Sequence, residues 1–276
     1  MTNQATITLN DGSAMPQFGL GVWQTPQDEA AVVVRTAIEA GYRSIDTAAI
    51  YGNERGVGEG VRASGAPREE LFITTKLWNN SQGYDEALKA CDNSLGRLGL
   101  DYVDLYLIHW PAPGQGKFVD AWRALVRLRE DGRARSIGVS NFQPHHLERV
   151  IAETGVVPAV NQVELHPRFQ QRPLRVVHAK RNIATESWSP LGRGMLLDDP
   201  VITKLARKHG KTPAQVVIRW HIDNGLIVIP KSVNAERIRA NAAVFDFRLE
   251  ETDLEAMGQL DIPTGRIGPD PDLTDF

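Results

Sequence analysis

The sequence predicts an α/β fold, a (β/α)8 TIM barrel with an N-terminal β-hairpin that caps one end. Two observations predict it. Eight short apolar runs alternate with amphipathic stretches, and several of these runs lack the strict polar–apolar alternation of a sheet with one solvated face. Such runs are typical of parallel strands that are covered on both faces. Eight alternations of strand and helix favour a closed barrel, because each unit supplies one strand and its crossover helix.

The predicted strands begin with a hairpin. The stretch ATITL is followed by Asn10-Asp11-Gly12, a signal for a tight turn. The eight apolar runs come after it. They are FGLGV (18–22), RSID (43–46), LFITTK (71–76), VDLYLIH (103–109), RSIGVSN (135–141), AVNQVEL (159–165), IATESW (183–188) and LIVIPK (226–231). Because the hairpin precedes all eight runs, we expect it to close one end of the barrel.

Helix boundaries can be read between the runs. Thr25 is expected to cap a helix whose first turn contains Pro26. Thr212 and Gln215 have the spacing of a capping box, in which each side chain bonds the other residue's backbone. Asn234 is expected to cap the segment AERIRAN in the same region of the chain. These signals place helices between the predicted strands and after the last one.

We expect one domain, residues 1–276, in which residues 262–276 form a C-terminal tail. No linker or shift in composition divides the chain, and a barrel closes only with all eight units. The 31 basic and 34 acidic residues give a net charge of −3, so no positive surplus favours nucleic acid or an anionic membrane surface. The sequence contains no run of about 18 apolar residues, so it does not favour a membrane span. The start does not resemble a signal peptide and there is one cysteine, Cys91, so we expect a cytoplasmic protein, with a monomer as the default.

Four polar side chains stand out at the predicted strand ends, where barrels of this type carry their chemistry. Asp46 ends the second run and Tyr51 lies just beyond it, whereas Lys76 and His109 end the third and fourth runs. Neighbouring strands of a barrel closed in sequence order would bring the four groups together. Taken singly, three of them have another interpretation: Asp46 as a turn or cap residue, Lys76 as a surface lysine and His109 as a hydrogen-bonded core histidine. Their occurrence together favours a site.

The chemistry expected of this group is proton donation by a tyrosine. A free phenol has a pKa of about 10 and is a poor acid at neutral pH. The Lys76 ammonium should lower the pKa of Tyr51, and Asp46 should keep that lysine charged and in place. Tyr51 would then be a general acid. His109 could donate a hydrogen bond to the same substrate oxygen and fix its orientation.

The sequence resembles the aldo-keto reductase family, and in particular its bacterial 2,5-diketo-D-gluconate reductase-like branch. The resemblance covers residues 15–247. It rests on MPQFGLGVWQ, GYRSIDTAAIYGNE, FITTKLW, DLYLIHWP, RSIGVSNF, VNQVELHP, ESWSPLGRG and VIPKSV, which occur in the family's order and spacing. It implies that Asp46, Tyr51, Lys76 and His109 are the catalytic tetrad.

The resemblance also implies that NADPH binds across the barrel mouth, with NADH as a weaker alternative. The implied cofactor-binding residues are Ser140, Asn141, Gln162, Trp188, Ser189, Leu191, Gly192, Lys231, Ser232, Arg237 and Asn241. The first three would hold the nicotinamide carboxamide, Trp188 would stack on the nicotinamide ring, and the next three would cover the pyrophosphate. Lys231, Ser232 and Arg237 would hold the 2′-phosphate, and Asn241 the adenine. Asn234 and Ala240 depart from the family pattern, so the strictness of the preference for NADPH stays open.

The resemblance also implies a substrate site lined by aromatic side chains. Trp23, Trp78 and Trp110, with His109, match positions that line the family's substrate site, and their alternative is a place in the core. The loop PAPGQGKF and the C-terminal tail are short, which favours an open pocket. The predicted function is therefore reduction of aldehydes or ketones, such as small carbonyls, α-dicarbonyls or keto sugars, with Tyr51 as general acid. The alternatives are an NADP(H)-binding redox sensor with little turnover, or a phosphosugar isomerase.

Two further patterns predict no site. Residues 58–63 fit the dinucleotide fingerprint G-x-G-x-x-A, but no strand precedes them and apolar spacing places them inside a helix. His145 and His146 are adjacent, and neighbours on a helix should point in different directions. The sequence has no H-E-x-x-H and no C-x-x-C pattern, so we predict no metal site.

Overall fold

The computed structural model describes residues 5–275, so the predicted domain (1–276) and tail (262–276) each extend beyond the described residues. A two-stranded antiparallel hairpin, β1 (Thr6–Thr8) and β2 (Ala14–Pro16), precedes an eight-stranded parallel sheet. The barrel strands are β3 (Gly19–Gly21), β4 (Ser44–Asp46), β5 (Phe72–Leu77), β6 (Val103–Ile108), β7 (Ala134–Ser140), β8 (Val160–Glu164), β9 (Ala184–Trp188) and β10 (Ile227–Val228). Each lies within or overlaps one of the eight predicted runs.

The sheet closes into the predicted barrel. Neighbouring strands from β3 to β10 pair in sequence order and in parallel. The first and last strands meet through two parallel bridges, Phe18 with Val228 and Gly21 with Lys231. The backbone N–H of Gly21 also donates to the carbonyl of Pro230, at 3.2 Å. The fold prediction is confirmed, and the carboxyl ends of all eight strands therefore open at one mouth.

The hairpin caps the other end of the barrel. Leu9 and Met15 are buried in a small apolar cluster with Phe72, Val160 and Ile227, which are the first residues of three barrel strands. These contacts close the amino-terminal end of the barrel. The predicted site residues lie at the opposite end.

Helices surround the barrel and alternate with its strands. Within the described residues they are α1 (Gln27–Glu39), α2 (Glu54–Ala63), α3 (Tyr84–Leu98), α4 (Phe118–Glu130), α5 (Pro144–Thr154), α6 (Arg172–Lys180), α7 (Pro200–His209), α8 (Pro213–Asp223), α9 (Ala235–Ala242) and α10 (Glu251–Gly258). None of these helices has the length and apolar character that a bilayer span requires.

Two of the three predicted caps are confirmed. Thr212 and Gln215 form the capping box of α8, and the Asn234 side chain accepts the N–H of Arg237 at the start of α9. The cap predicted at Thr25 is wrong. α1 begins after Pro26 with no side-chain cap, and the Thr25 hydroxyl is buried without a partner among the described residues.

The glycines that mimic a dinucleotide fingerprint lie inside a helix, as the apolar spacing predicted, and they allow close helix packing. They lie within α2. A Cβ on Gly58 would stand 1.8 Å from the carbonyl oxygen of Leu98, and one on Gly60 would stand 2.6 Å from the carbonyl oxygen of Ala31. Only glycine permits α2 to approach both neighbouring helices this closely.

Candidate active site

A cavity of about 460 Å³ lies at the carboxyl ends of the strands, a volume within the range of small-molecule sites. Most of the predicted site residues line it. They are Trp23, Asp46, Tyr51, Trp78, His109, Trp110, Ser140, Asn141, Gln162, Trp188, Ser189 and Lys231. Lys76 lies beneath this wall, fully buried. The strand ends therefore bring these side chains together around one cavity.

A buried ion pair forms the floor of the site. The Lys76 ammonium on β5 donates to Asp46 Oδ1 at the end of β4, at 2.6 Å, and to the carbonyl of Thr47, at 2.9 Å. Burial alone lowers the pKa of Lys76, but the charges of Asp46 and Tyr51 outweigh it, so the pKa is raised. The surface reading of Lys76 is wrong. A buried lysine keeps its charge only when it is paired in this way.

Tyr51 extends from a short 3-10 turn, Ala49–Tyr51, that follows β4. The Lys76 ammonium lies beside its ring, 5.3 Å from the ring centroid, close enough for its charge to act on the phenol. Burial raises the pKa of Tyr51, and the Lys76 charge lowers it by less, so the net pKa is raised. The expected net lowering is wrong, because desolvation of a phenolate in this cavity exceeds the attraction of one ammonium. Tyr51 is consequently protonated at neutral pH, the state that a proton donor needs.

His109 follows β6 and faces the phenol. Its ring lies 5.7 Å from that of Tyr51 and 5.2 Å from that of Trp78, both edge to face. Burial and the nearby charge of Lys76 lower the pKa of His109 well below its ordinary value. The imidazole is therefore neutral at physiological pH. It can donate one hydrogen bond to a substrate oxygen, but it holds no extra proton to release, which leaves Tyr51 as the acid.

A second buried acid, Glu186, was missed by the sequence analysis. Gln162 on β8 donates through Nε2 to Asp46 Oδ2 and to Glu186 Oε2 on β9, both at 2.8 Å. Burial and the negative charge of Asp46 raise the pKa of Glu186 to about 8. The signal for it was present, because an acidic residue interrupts the otherwise buried run IATESW.

We expect Glu186→Gln to change how stability depends on pH. A carboxyl with a folded pKa near 8 binds its proton more tightly folded than unfolded, so its contribution to stability is present below the unfolded pKa and is lost as pH rises towards 8. The neutral amide removes that loss. The free energy of unfolding of the variant minus that of the native protein should therefore increase by about 2–4 kcal/mol when the pH is raised from 5 to 8. Urea unfolding at the two pH values measures this, with Glu39→Gln, at an exposed ion pair, as control; parallel pH curves for Glu186→Gln and the native protein would contradict it.

Side chains implied for the nicotinamide carboxamide already bond one another. Ser140 Oγ donates to the carbonyl of Gln162, at 2.8 Å. Asn141 Nδ2 donates to the carbonyl of His109, at 3.0 Å, and to Ser140 Oγ, at 3.1 Å. Asn141 Oδ1 accepts from Trp188 Nε1, at 2.8 Å. The amide of Asn141 thus fixes the indole of Trp188, and a ligand carboxamide could use it only by sharing or replacing these bonds.

The remaining implied cofactor residues lie outside the cavity wall. They are Leu191 and Gly192 in the loop after β9, Ser232 after β10, and Arg237 and Asn241 on α9. Lys231, which lines the cavity, and Arg237 are exposed, and neither forms an ion pair within residues 5–275. Two exposed, unpaired cations on one segment suit a phosphate group.

Six cavity residues were not selected from the sequence, and three of them are Ile50, Arg193 and Pro269. Ile50 lies between Asp46 and Tyr51, Arg193 lies in the loop after β9, and Pro269 comes from the C-terminal tail. Arg193 also lies over the Trp23 ring, with its guanidinium carbon 5.3 Å from the ring centroid. No local pattern could have found Pro269, because its place depends on how the tail folds back over the barrel.

The prediction that His145 and His146 point in different directions is wrong. Their rings lie 4.0 Å apart at the start of α5, and both Nε2 atoms face Asp272 Oδ1, at 3.3 and 3.5 Å. His146 Nδ1, however, accepts the backbone N–H of Gln143. Its Nε2 then carries the proton of the neutral ring and has no lone pair for a metal. In a metal-bound histidine, the ring nitrogen that does not bind the metal normally donates its N–H to a hydrogen-bond acceptor, whereas Nδ1 of His146 accepts a hydrogen bond. The trio is a contact between the tail and α5.

Comparison with known proteins agrees with this geometry. The sequence model of the Aldo/keto reductase family matches residues 15–262. The chain is 60% identical over 271 residues to an aldo-keto reductase of Mycolicibacterium smegmatis, covering 98% of each chain. It is 57% identical over 275 residues to the methylglyoxal reductase DkgA of Yersinia pestis, covering 99% of this chain and 98% of that one. A crystal structure of a Gox0644 mutant in complex with NADPH has a TM-score of 0.96 at 56% identity, with 99% of each chain covered.

Proposed function

Because this chain belongs to the aldo/keto reductase family, we propose that it reduces aldehydes or ketones to alcohols with NADPH, and that Asp46, Tyr51, Lys76 and His109 carry the reaction. One observation carries the proposal. The Tyr51 phenol lies beside the buried Lys76 ammonium, with Nζ 5.3 Å from the ring centroid, at the wall of an aromatic cavity. A protonated phenol held by a fixed cation is the arrangement that delivers a proton to a developing alkoxide.

The residues around the cavity fit NADPH. Trp188 offers an aromatic surface, and its indole is fixed through Nε1 by Asn141. Lys231, Ser232 and Arg237 offer two cations and a hydroxyl for a phosphate. Leu191 and Gly192, with Ser189, would cover the pyrophosphate, and Asn241 would hold the adenine. When bound, NADPH supplies the hydride that the carbonyl carbon accepts.

The protein side of the reaction is a proton transfer at one oxygen. The carbonyl oxygen of the substrate accepts hydrogen bonds from the Tyr51 hydroxyl and from the neutral imidazole of His109. As negative charge develops on that oxygen, Tyr51 gives up its proton. The Lys76 ammonium stabilises the phenolate left behind, and Asp46 keeps the ammonium charged and aimed at Tyr51. The proton then returns to Tyr51 from solvent.

The cavity supports small carbonyl substrates. Trp23, Trp78 and Trp110 lie around His109 and offer apolar surface, with Arg193 as a cation near Trp23. DkgA of Yersinia pestis is named as a methylglyoxal reductase. We extend this to the present chain as a proposal that small α-dicarbonyls are substrates, with keto sugars as further candidates. An open pocket with modest selectivity remains part of the proposal.

Oxidation of NADPH with a panel of aldehydes, ketones and α-dicarbonyls tests the proposed function. Turnover with methylglyoxal or a keto sugar is the expected result. Tight NADPH binding without turnover of any carbonyl would contradict it and favour a redox-sensing module. Absence of NADPH binding, measured by quenching of tryptophan fluorescence, would favour an isomerase on the same fold.

Arg237→Ala is expected to separate the two nicotinamide cofactors. If the exposed Arg237 holds the 2′-phosphate, NADPH binding should weaken by about 1.5–3 kcal/mol, the value of a lost hydrogen bond to a charged group. NADH lacks that phosphate, so its affinity should change little. Fluorescence titration with both cofactors measures the difference. Arg239→Ala, at another exposed arginine of α9, is the matched control; equal losses for NADPH and NADH would place Arg237 away from the phosphate.

The proposal also covers the number of domains, the oligomeric state and the location in the cell. We propose that residues 1–276 form one domain, because the barrel strands extend from β3 to β10 and close on each other. A monomer and a cytoplasmic location are proposed with it. Light scattering of the purified protein and fractionation of cells that produce it would test these two properties.

A further inference from the structure

The C-terminal tail is anchored to the barrel by a buried carboxylate, Glu164. This residue ends β8 and its side chain is fully buried. Oε1 accepts the backbone N–H of Ile267, at 2.6 Å, and Oε2 accepts that of Gly268, at 2.7 Å. His166 Nε2 lies 3.1 Å from Oε1 and completes the coordination. Both oxygens of one carboxylate therefore hold two successive amides of the tail.

We call the two hydrogen bonds from Ile267 and Gly268 to Glu164 the clamp, and the negative charge of Glu164 strengthens them. Burial raises the pKa of the Glu164 carboxyl, but hydrogen bonds from His166, Ile267 and Gly268 outweigh burial, so the net pKa lies below its ordinary value. Hydrogen bonds to an ionised acceptor are shorter and stronger than those between neutral groups. The clamp thus fixes a segment that forms no helix or strand between residues 261 and 275.

The clamped segment lies against the catalytic cavity. Glu164 is paired in register with Trp188 on β9. A Cβ on Gly268 would stand 2.5 Å from Trp188 Cη2 and 2.9 Å from Glu164 Oε2, so the tail backbone is in contact with both side chains. The next residue, Pro269, lines the cavity itself. Trp188 is therefore held at two places, by Asn141 at Nε1 and by contact with the tail at Cη2.

We propose that Glu164 is a positioning residue for carbonyl reduction: its carboxylate holds the backbone of Ile267 and Gly268 against Trp188, and so sets the wall that Pro269 presents to the substrate. Glu164 does not touch the reacting atoms and acts only through the tail. The inference rests on the proposed function for its kinetic consequence, whereas the clamp itself is independent of that function.

Glu164→Gln tests the clamp. The amide keeps the size of the side chain, but its NH₂ group cannot accept the second N–H. We expect hydrogen exchange at the amides of Ile267 and Gly268 to accelerate by about tenfold or more, since a lost hydrogen bond to a charged group has at least that effect. KM for the carbonyl substrate should rise by about tenfold, with kcat and the Kd of NADPH within about threefold. Asp272→Asn, which alters an exposed contact of the same tail, is the control and should leave KM near the native value.

Gly268→Ala provides a second variant that keeps the carboxylate. Its Cβ would overlap Trp188 and Glu164, so the tail must move outward, and KM should rise as in Glu164→Gln. Unchanged exchange at residues 267–268 in Glu164→Gln would overturn the clamp. Faster exchange with an unchanged KM in both variants would overturn the role of the tail as a substrate wall. A native protein that reduces no carbonyl would refute the proposed function instead, and the exchange experiment would still decide the clamp.

Discussion

Tyr51→Phe is expected to lower kcat for carbonyl reduction by about 10²–10⁴-fold, the range typical of a positioned general acid. Phenylalanine preserves the ring that packs edge to face on His109, at 5.7 Å between centroids, and removes only the hydroxyl. His109 cannot replace it as the acid, because its lowered pKa leaves the imidazole neutral. The loss should therefore persist from pH 6 to pH 8, across the range in which an ordinary histidine would titrate.

The measurement is steady-state oxidation of NADPH with a small aldehyde, combined with a binding titration. NADPH should bind Tyr51→Phe with near-native affinity, since the phenol faces the substrate oxygen and not the phosphates. Tyr84→Phe, at a partly exposed tyrosine of α3, is the matched control. Activity within about threefold of the native protein in Tyr51→Phe would remove the phenol from the proton transfer.

The fold and the centre of the site could be predicted because they depend on local patterns and one topological rule. Apolar runs located all eight barrel strands. Since parallel strands end at one mouth, residues at three consecutive strand ends, such as Asp46, Lys76 and His109, had to converge. The same rule placed Trp188 and Lys231 at the cavity. None of this required knowledge of side-chain contacts.

What the sequence did not reveal depends on the balance of energies or on contacts distant along the chain. The raised pKa of Tyr51 follows from desolvation of its hydroxyl in the folded protein, which no motif reports. The raised pKa of Glu186 arises from its burial and from the charge of Asp46, which is 140 positions away in the chain but joined to Glu186 through one amide, that of Gln162. The clamp on Ile267 uses a backbone amide of an irregular tail, so no pattern of residue types could have indicated that Glu164 holds it.

Lys76→Met is expected to abolish most activity and also to destabilise the fold. Methionine fills similar space but leaves the Asp46 carboxylate buried, with Gln162 Nε2 as its remaining side-chain donor. Removing one partner of a buried ion pair costs about 3–5 kcal/mol, because the other charge stays uncompensated. Tyr51 also loses the cation that stabilises its phenolate. Urea unfolding and NADPH oxidation on the same preparation measure the two effects.

The double variant Lys76→Met with Asp46→Asn separates the two effects. A neutral amide at position 46 removes the unpaired charge, so most of the lost free energy of unfolding should return. Activity should remain as low as in Lys76→Met, because the Tyr51 phenolate still lacks its cation. Recovery of both stability and activity in the double variant would mean that Lys76 acts only as a structural partner of Asp46. Recovery of stability alone would show that the ammonium has two roles, neutralising the buried carboxylate and stabilising the charge that forms on Tyr51.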